Sequence, residues 1–274
     1  MPGYFEFNGV RMYSYGLFTV LGFTAVALLV LYLFRKRPYV RWATGILAVW
    51  GLIGLYLGAH LLFGLTQLPS LIGSIREWTQ NAPASGEVWR TLVQAFGGMV
   101  YYGGFLGLLL ASALWLRRAV PKSERGDYYD LIAVCVPLFH AFGRLGCFSA
   151  GCCYGVECSW GIVSERTLNP DVNGVARFPV QLVEAGLNLL LFDLLLMLFL
   201  RERRRGGLMR LYCLLYPLIR FTLEFFRGDT LRGLWGPFST SQWVSLALFA
   251  AAAALEIRAQ AQERSAPQTT TQNA

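Results

Sequence analysis

The sequence predicts an all-α integral membrane protein of seven transmembrane helices, with the N-terminus outside, the C-terminus cytoplasmic and a small extracytoplasmic loop region. Three observations carry this. The 274 residues are 55% hydrophobic and only 15% charged, with a mean hydropathy of +0.45; soluble domains carry about 25% charged residues. The apolar residues come in blocks, with no charged residue in Met12–Phe34, Trp42–Ile75, Thr91–Leu116 or Gly233–Leu255. An apolar run of about 18 residues or more reads as a bilayer-spanning helix. Third, the basic residues alternate between loops. A soluble enzyme and a disordered chain are excluded, and the period-two alternation of a barrel is missing.

The spans fall near 15–34, 43–66, 97–116, 128–149, 179–200, 208–226 and 240–257. One set of connecting segments holds Arg35, Lys36, Arg37, Arg41, Arg117, Arg118, Lys122, Arg125, Arg201, Arg203, Arg204, Arg205, Arg210, Arg258 and Arg264, which is 15 of the 24 basic residues. The positive-inside rule places that set in the cytoplasm. The net charge of +8 therefore marks orientation and contact with anionic lipid, and no nucleic-acid partner is expected. Asn81-Ala-Pro-Ala-Ser-Gly86 marks an outward loop. Residues 1–259 read as one polytopic membrane domain and 260–274 as a polar, disordered cytoplasmic tail.

Three spans carry charge where a bilayer penalises it, by at least about 2.5–3.5 kcal/mol per residue at the centre. The fourth has Asp130, His140 and Arg144; the fifth has Glu184 and Asp193; the sixth must include Arg220, because only nine uncharged residues separate it from Arg210. Tyr216, Arg220, Glu224 and Arg227 recur at helical spacing on one face. With Arg144 and Arg177 they form an arginine group near one leaflet. Guanidinium forks bind phosphate bidentately and stay charged in a poor dielectric, so a lipid phosphate is the expected ligand. His140 reads as a hydrogen-bonded core histidine.

The segment from His140 to Gly155 is rich in cysteine and glycine. Four of six cysteines fall at 147, 152, 153 and 158. The predicted side is extracytoplasmic, where disulfides persist. A thiolate beside Arg144 is the other reading. The spacing fits no common zinc pattern, so neither a metal nor a cofactor is assigned.

These residues also carry a family likeness. Tyr15-Gly16-Leu17, Gly58-Ala59-His60, Gly97–Gly104, Gly143-Arg144-Leu145-Gly146-Cys147-Phe148 with Gly151–Gly155, Arg177-Phe178-Pro179-Val180-Gln181-Leu182-Val183-Glu184, and Arg220–Asp229 followed by Gln242 form six ordered matches. In them the chain resembles the prolipoprotein diacylglyceryl transferase family. The resemblance implies transfer of the diacylglyceryl group of phosphatidylglycerol to the lipobox cysteine of a prolipoprotein signal peptide. The products are a thioether and glycerol 1-phosphate, formed in the bacterial plasma membrane near the extracytoplasmic leaflet. It departs from the family's pattern at Tyr102, Cys147, Cys152 and Phe178, which stand for His, Asn, Glu and His.

On that resemblance, Tyr102, Arg144, Cys152, Arg220 and Glu224 are the catalytic set. Tyr15, Gly103, Gly104, Gly143, Gly146, Cys147, Cys153, Arg177, Gln181, Glu184, Tyr216 and Arg227 line the substrate. Arg144 and Arg220 would hold phosphate, with Glu224 and Glu184 orienting them, and Tyr102 or a cysteine would handle the thiol proton. Two alternatives stand beside it: a phospholipid-dependent transferase with another acceptor, and a membrane thiol–disulfide oxidoreductase using Cys147–Cys158.

Overall fold

A computed structural model describes residues 2–7, 10–35, 41–202, 204, 206–229 and 233–265. Lys36, Arg37, Arg203, Arg205 and Arg232, and the tail from 266, lie outside them. The described chain is mostly helical and divides into two compact units, Met1–Leu33 with Tyr129–Ala274, and Phe34–Tyr128.

Helices occupy all seven segments that read as spans: α1 (Ser14–Leu33), α2 (Arg41–Thr66), α5 (Tyr101–Ala119), α6 (Arg125–Ala150), α7 (Val180–Leu200), α8 (Leu208–Leu223) and α9 (Thr240–Ser265). Five are long and apolar enough to cross a bilayer: α1, α6, α7, and residues Trp42–Thr66 of α2 and Thr240–Gln262 of α9. Two helices fall where the sequence suggests loop, α3 (Leu68–Gln80) and α4 (Glu87–Phe96). The signal for α3 is Leu68, Leu71, Ile72 and Ile75 at helical spacing. The helix α4 and the following α5 make a sixth candidate span, bent by 79° between them. The break at 97–100 explains why the expected span from 97 begins as a helix only at Tyr101. The sixth expected span is corrected at its end. The helix α8 stops at Leu223, and Glu224–Phe226 tighten into a 3-10 turn. The last helix continues to Ser265, past residue 259, where the membrane domain was expected to end.

Small antiparallel pairs fill the connections. They are β1 (Tyr4–Phe7) with β2 (Val10–Tyr13), β3 (Glu157–Val163) with β4 (Ala176–Arg177), and β5 (Leu234–Trp235) with β6 (Phe238–Ser239).

In the second unit α2 and α5 meet backbone to backbone. A Cβ on Gly103 would overlap the Gly58 carbonyl oxygen, and one on Gly107 the Gly54 carbonyl oxygen. Gly54 and Gly58 are four apart, as are Gly103 and Gly107. Small residues at that interval let helices approach closely where lipid removes any hydrophobic drive between them.

In the first unit α1 lies along α6. The Phe23 and Phe139 rings meet tilted, with centroids 4.6 Å apart, and a Cβ on Gly22 would lie 3.0 Å from Phe142 Cβ. The helix α8 starts where Asp130 of α6 accepts the Leu208 N–H at 2.9 Å and the Gly206 N–H at 2.6 Å. A buried carboxylate thus satisfies donors that a helix start leaves open. The start of α9 is a capping box. Ser239 Oγ accepts the Gln242 N–H at 3.3 Å, and Gln242 Oε1 accepts the Ser239 N–H at 2.9 Å. The Gln242 side chain also donates to Phe221 O at 3.5 Å, tying α9 to the end of α8.

Candidate active site

The site of the first unit is built around two buried arginine–glutamate pairs. Arg144 projects from α6 and places Nε 3.0 Å from Glu184 Oε2 on α7. The other carboxylate oxygen, Glu184 Oε1, accepts the Tyr216 hydroxyl of α8 at 3.2 Å and lies 3.6 Å from His140 Nε2. Tyr216 meets the His140 ring edge-on at 5.3 Å and stacks on Tyr212 at 5.4 Å. One turn along α7, Asn188 donates to Glu184 O at 2.8 Å. Three helices therefore converge on one carboxylate.

The second pair closes α8. Arg220 Nη2 lies 2.5 Å from Glu224 Oε2 and donates to Ser241 Oγ at 3.3 Å. Arg227 follows the 3-10 turn with extended backbone, so it does not continue the helical face that the spacing suggested. The turn still brings its Nη1 within 3.6 Å of Glu224 Oε2, while Asp229 takes its other edge in a bidentate pair at 2.8 and 2.5 Å.

These arginines are unequal. The Arg144 and Arg220 side chains are 8% and 6% exposed, and each has one edge on a carboxylate. On their other edges, the buried atoms Arg144 Nη2 and Arg220 Nη1 meet no hydrogen-bond acceptor among the described residues. A buried donor left so costs about 1–3 kcal/mol, more when charged. An arrangement holding two such donors is suited to an anion. Arg177 spends its Nη atoms on the protein, and its buried Nε likewise meets no hydrogen-bond partner among the described residues. The side chain pairs with Glu157 at 3.0 Å, donates to Gly155 O and Asp171 O at 3.4 Å each, and lies 4.6 Å from the Tyr154 ring centroid. Its geometry braces the segment after α6.

That segment is a backbone seam. The Val156 N–H donates to Phe226 O, the Phe178 N–H to Val156 O and the Gly228 N–H to Tyr154 O, all at 2.9 Å. Residues 154–156 thus pair on both sides, with the strand of Arg177 and with the strand of Arg227. Gly155 is required there, since a Cβ would overlap Phe178 O. Gln181 anchors the same segment by donating to Cys152 O at 2.9 Å. Near the same end of α6, the Tyr15 ring lies against Gly146, where a Cβ would be 2.9 Å from it. A Cβ on Gly143 would meet nothing within 4 Å, so packing makes no demand for glycine at that position.

All six cysteines are free thiols. Sequence spacing alone missed what the fold does with three of them. The Sγ atoms of Cys147, Cys152 and Cys153 lie within 4.8 Å of one another. Cys147 follows Arg144 by one turn of α6. Cys153 takes a left-handed conformation, φ 54°, unusual outside glycine. Hydrogen bonds from the Cys147 and Cys152 thiols, with Arg144 and Arg227 beyond them, outweigh burial and hold the Cys153 thiol well below the usual range. For Cys152, a hydrogen bond from Cys147 is outweighed by donation to Cys153 and by burial, which push it up to about 12. Of the two, Cys153 is the one whose anion these surroundings favour. Cys158 lies in β3, outside this cluster.

The remaining predicted residues belong to the second unit. Tyr102, Gly103 and Gly104 form the first turn of α5, with Tyr102 buried and its ring 5.8 Å from Tyr101. Gly103 faces α2 at the glycine contact described above. A Cβ on Gly104 would stand 3.2 Å from Leu55 O.

Three residues in the arginine–glutamate cluster had no functional place in the sequence reading: His140, Asn188 and Asp229. Asn188 was findable, because it follows Glu184 at i+4. His140 shares a helix face with Arg144 at the same interval.

Comparison with known proteins gives a consistent picture. Residues 2–258 match the family model described as prolipoprotein diacylglyceryl transferase. A phosphatidylglycerol–prolipoprotein diacylglyceryl transferase of Clostridium tetani is 30% identical over 246 residues, covering 89% of this chain and 92% of the relative. A second, from Clostridium perfringens, is 32% identical over 250 residues, 88% of each. One from Coxiella burnetii is 31% identical over 231 residues, 82% of this chain and 81% of its own length.

Proposed function

Because the chain belongs to the prolipoprotein diacylglyceryl transferase family, we propose that it moves the diacylglyceryl group of phosphatidylglycerol onto the lipobox cysteine thiol of a prolipoprotein. It is a multi-pass bacterial membrane protein and a transferase. The observation that carries the reading is the pair of buried guanidinium edges, Arg144 Nη2 and Arg220 Nη1, that have no acceptor among the described residues. They suit the phosphate of the lipid. As the acceptor sulfur bonds to the glyceryl carbon, the carbon–oxygen bond to phosphate breaks. Charge builds on the departing glycerol 1-phosphate, and aimed guanidinium donors neutralise it. Glu184 and Glu224 hold the two forks in place. Tyr216 and His140 steady Glu184 in turn.

The finer parts of this proposal are seven crossings with the N-terminus outside, a site opening to the extracytoplasmic leaflet, and no nucleic-acid partner. Tyr102 as proton relay rests on its position in the Gly97–Gly104 motif; its unperturbed pKa of about 10 makes it a weak base at neutral pH. Family membership disfavours the thiol–disulfide oxidoreductase reading.

The test is transfer of labelled diacylglyceryl from phosphatidylglycerol to a lipobox peptide by the purified protein. Arg220→Ala is expected to lower transfer by about 10²–10³-fold, the usual loss for one donor to a developing oxyanion. Undiminished transfer would remove Arg220 from the clamp. Failure of the chain to complement a strain lacking the transferase, despite correct insertion, would point to a different acceptor.

A further inference from the structure

The departures from the family's pattern at Cys147 and Cys152 meet, in the fold, at one point. Together with Cys153 they place three sulfur atoms within 4.8 Å of one another. A metal–sulfur bond of about 2.3 Å puts the sulfurs of a trigonal tris-thiolate about 4.0 Å apart. The difference is less than 1 Å. The three sulfurs are held by unlike means: Cys147 by α6, Cys152 by the Gln181 bond to its carbonyl, and Cys153 by its left-handed backbone. Cys152 is exposed, which leaves an open side. Arg144 and Arg227 lie within electrostatic reach of Cys153. Their charge offsets the net negative charge that three thiolates keep around a divalent ion.

We propose that Cys147, Cys152 and Cys153 bind a thiophilic divalent cation such as zinc(II), and that its fourth position takes the acceptor cysteine sulfur. Three protein ligands and one open position is the arrangement of a catalytic rather than a structural zinc site, and a coordinating thiol is deprotonated outright. The role in catalysis rests on the transferase reading; the metal site does not. The acceptor thiol displaces water at the ion and releases its proton to solvent. Its sulfur then forms the bond to the glyceryl carbon, and the bonding pair of the broken carbon–oxygen bond leaves with glycerol 1-phosphate. No oxidant or reductant is needed. The ion thereby does what the acid–base side chains of the family's pattern, replaced here by Tyr102 and Cys152, would otherwise do.

The experiment uses the full-length protein in detergent, reduced and freed of metal, titrated with cadmium(II) as the probe. One equivalent is expected to saturate a sulfur-to-cadmium charge-transfer absorption of three thiolates. Cys147→Ser, Cys152→Ser and Cys153→Ser should each remove about a third of the absorption and weaken binding; Cys135→Ser and Cys158→Ser should match the parent. Absorption missing from the parent, or unchanged in all three variants, overturns the site. So does a disulfide between any two of the three in protein isolated without reductant. Chelation is then expected to abolish lipid transfer and one equivalent of zinc(II) to restore it. Full transfer by chelated protein overturns the thiol-activating role and leaves the site standing. Intact cadmium absorption with no transfer under any condition overturns the transferase reading instead.

Discussion

Removing Arg144 has two effects that one double substitution separates. Its Nε lies 3.0 Å from Glu184 Oε2, with both side chains nearly inaccessible. At an effective dielectric near 20, unit charges at that distance attract by about 5.5 kcal/mol. Breaking a buried pair by deleting one partner costs about 3–5 kcal/mol, because the survivor stays charged without compensation. Arg144→Ala should therefore destabilise the protein by about that amount. It should also lose lipid transfer, since Nη2 goes with it, by about 10²–10³-fold. Glu184→Gln keeps the shape and an acceptor for Tyr216 while removing the stranded charge. Combining the two substitutions should restore most of the stability and none of the transfer. Thermal unfolding in detergent, followed by circular dichroism, reads the first quantity. Single-turnover transfer from labelled phosphatidylglycerol, measured well below the unfolding temperature, reads the second. If transfer recovers alongside stability in the double variant, Arg144 is only a counter-charge for Glu184 and the phosphate clamp is wrong.

Further outcomes follow from the rest of the structure. Gly107→Ala should weaken the α2–α5 contact by about 1–3 kcal/mol, the usual cost of overpacking, seen as a lower unfolding temperature; Gly45→Ala on the same α2 helix, where a Cβ meets nothing within 4 Å, is the matched control. Asp130→Ala leaves the Gly206 and Leu208 N–H groups without their buried acceptor and should cost about 1–3 kcal/mol, measured the same way. In reduced, metal-free protein, Cys153 should be alkylated before Cys152. Because its pKa is depressed, its thiolate persists as pH falls below the ordinary value of about 8.5. Its labelling rate should therefore hold at neutral pH, and Arg227→Ala should move the rate profile upward; a profile centred on the ordinary value in the parent would show that the cluster and its arginines do not favour the anion.

What could be read in the sequence, and what could not, divides by the range of the physics involved. A span needs about 20 apolar residues in a row, so α1, α2, α6, α7 and α9 declare themselves. The helix α8 declares itself only if Arg220 is accepted inside it. The helices α3 and α4 are short and amphipathic, and their apolar residues alternate with Ser, Gln and Arg; a composition argument passes over them. Within the site, the sequence identifies Arg144, Glu184, Arg220 and Glu224 as charges in apolar surroundings. It does not say that Glu184 is shared by Arg144, Tyr216 and His140, because that sharing depends on where three helices cross. Nor does the sequence show that Arg177 also pairs with Glu157 and lies over the Tyr154 ring. The thiol cluster is least legible of all. It depends on where α6 ends and on one left-handed residue, Cys153, neither of which spacing reveals.

The seam through residues 154–156 also sets when the protein can begin to work. A chain is made from its N-terminus, and its parts assemble as they emerge. Once α7 is inserted, Arg144 can already pair with Glu184, and Arg177 can brace the segment after α6. The second flank of the seam is supplied by residues 226–228, together with the Arg220–Glu224 pair, some 80 residues after Arg144. A chain halted before that point carries the buried Arg144–Glu184 pair and an unpaired strand edge. On the proposed function, competence for phosphate would arrive in a single late step of biosynthesis, when the end of α8 folds back onto Tyr154.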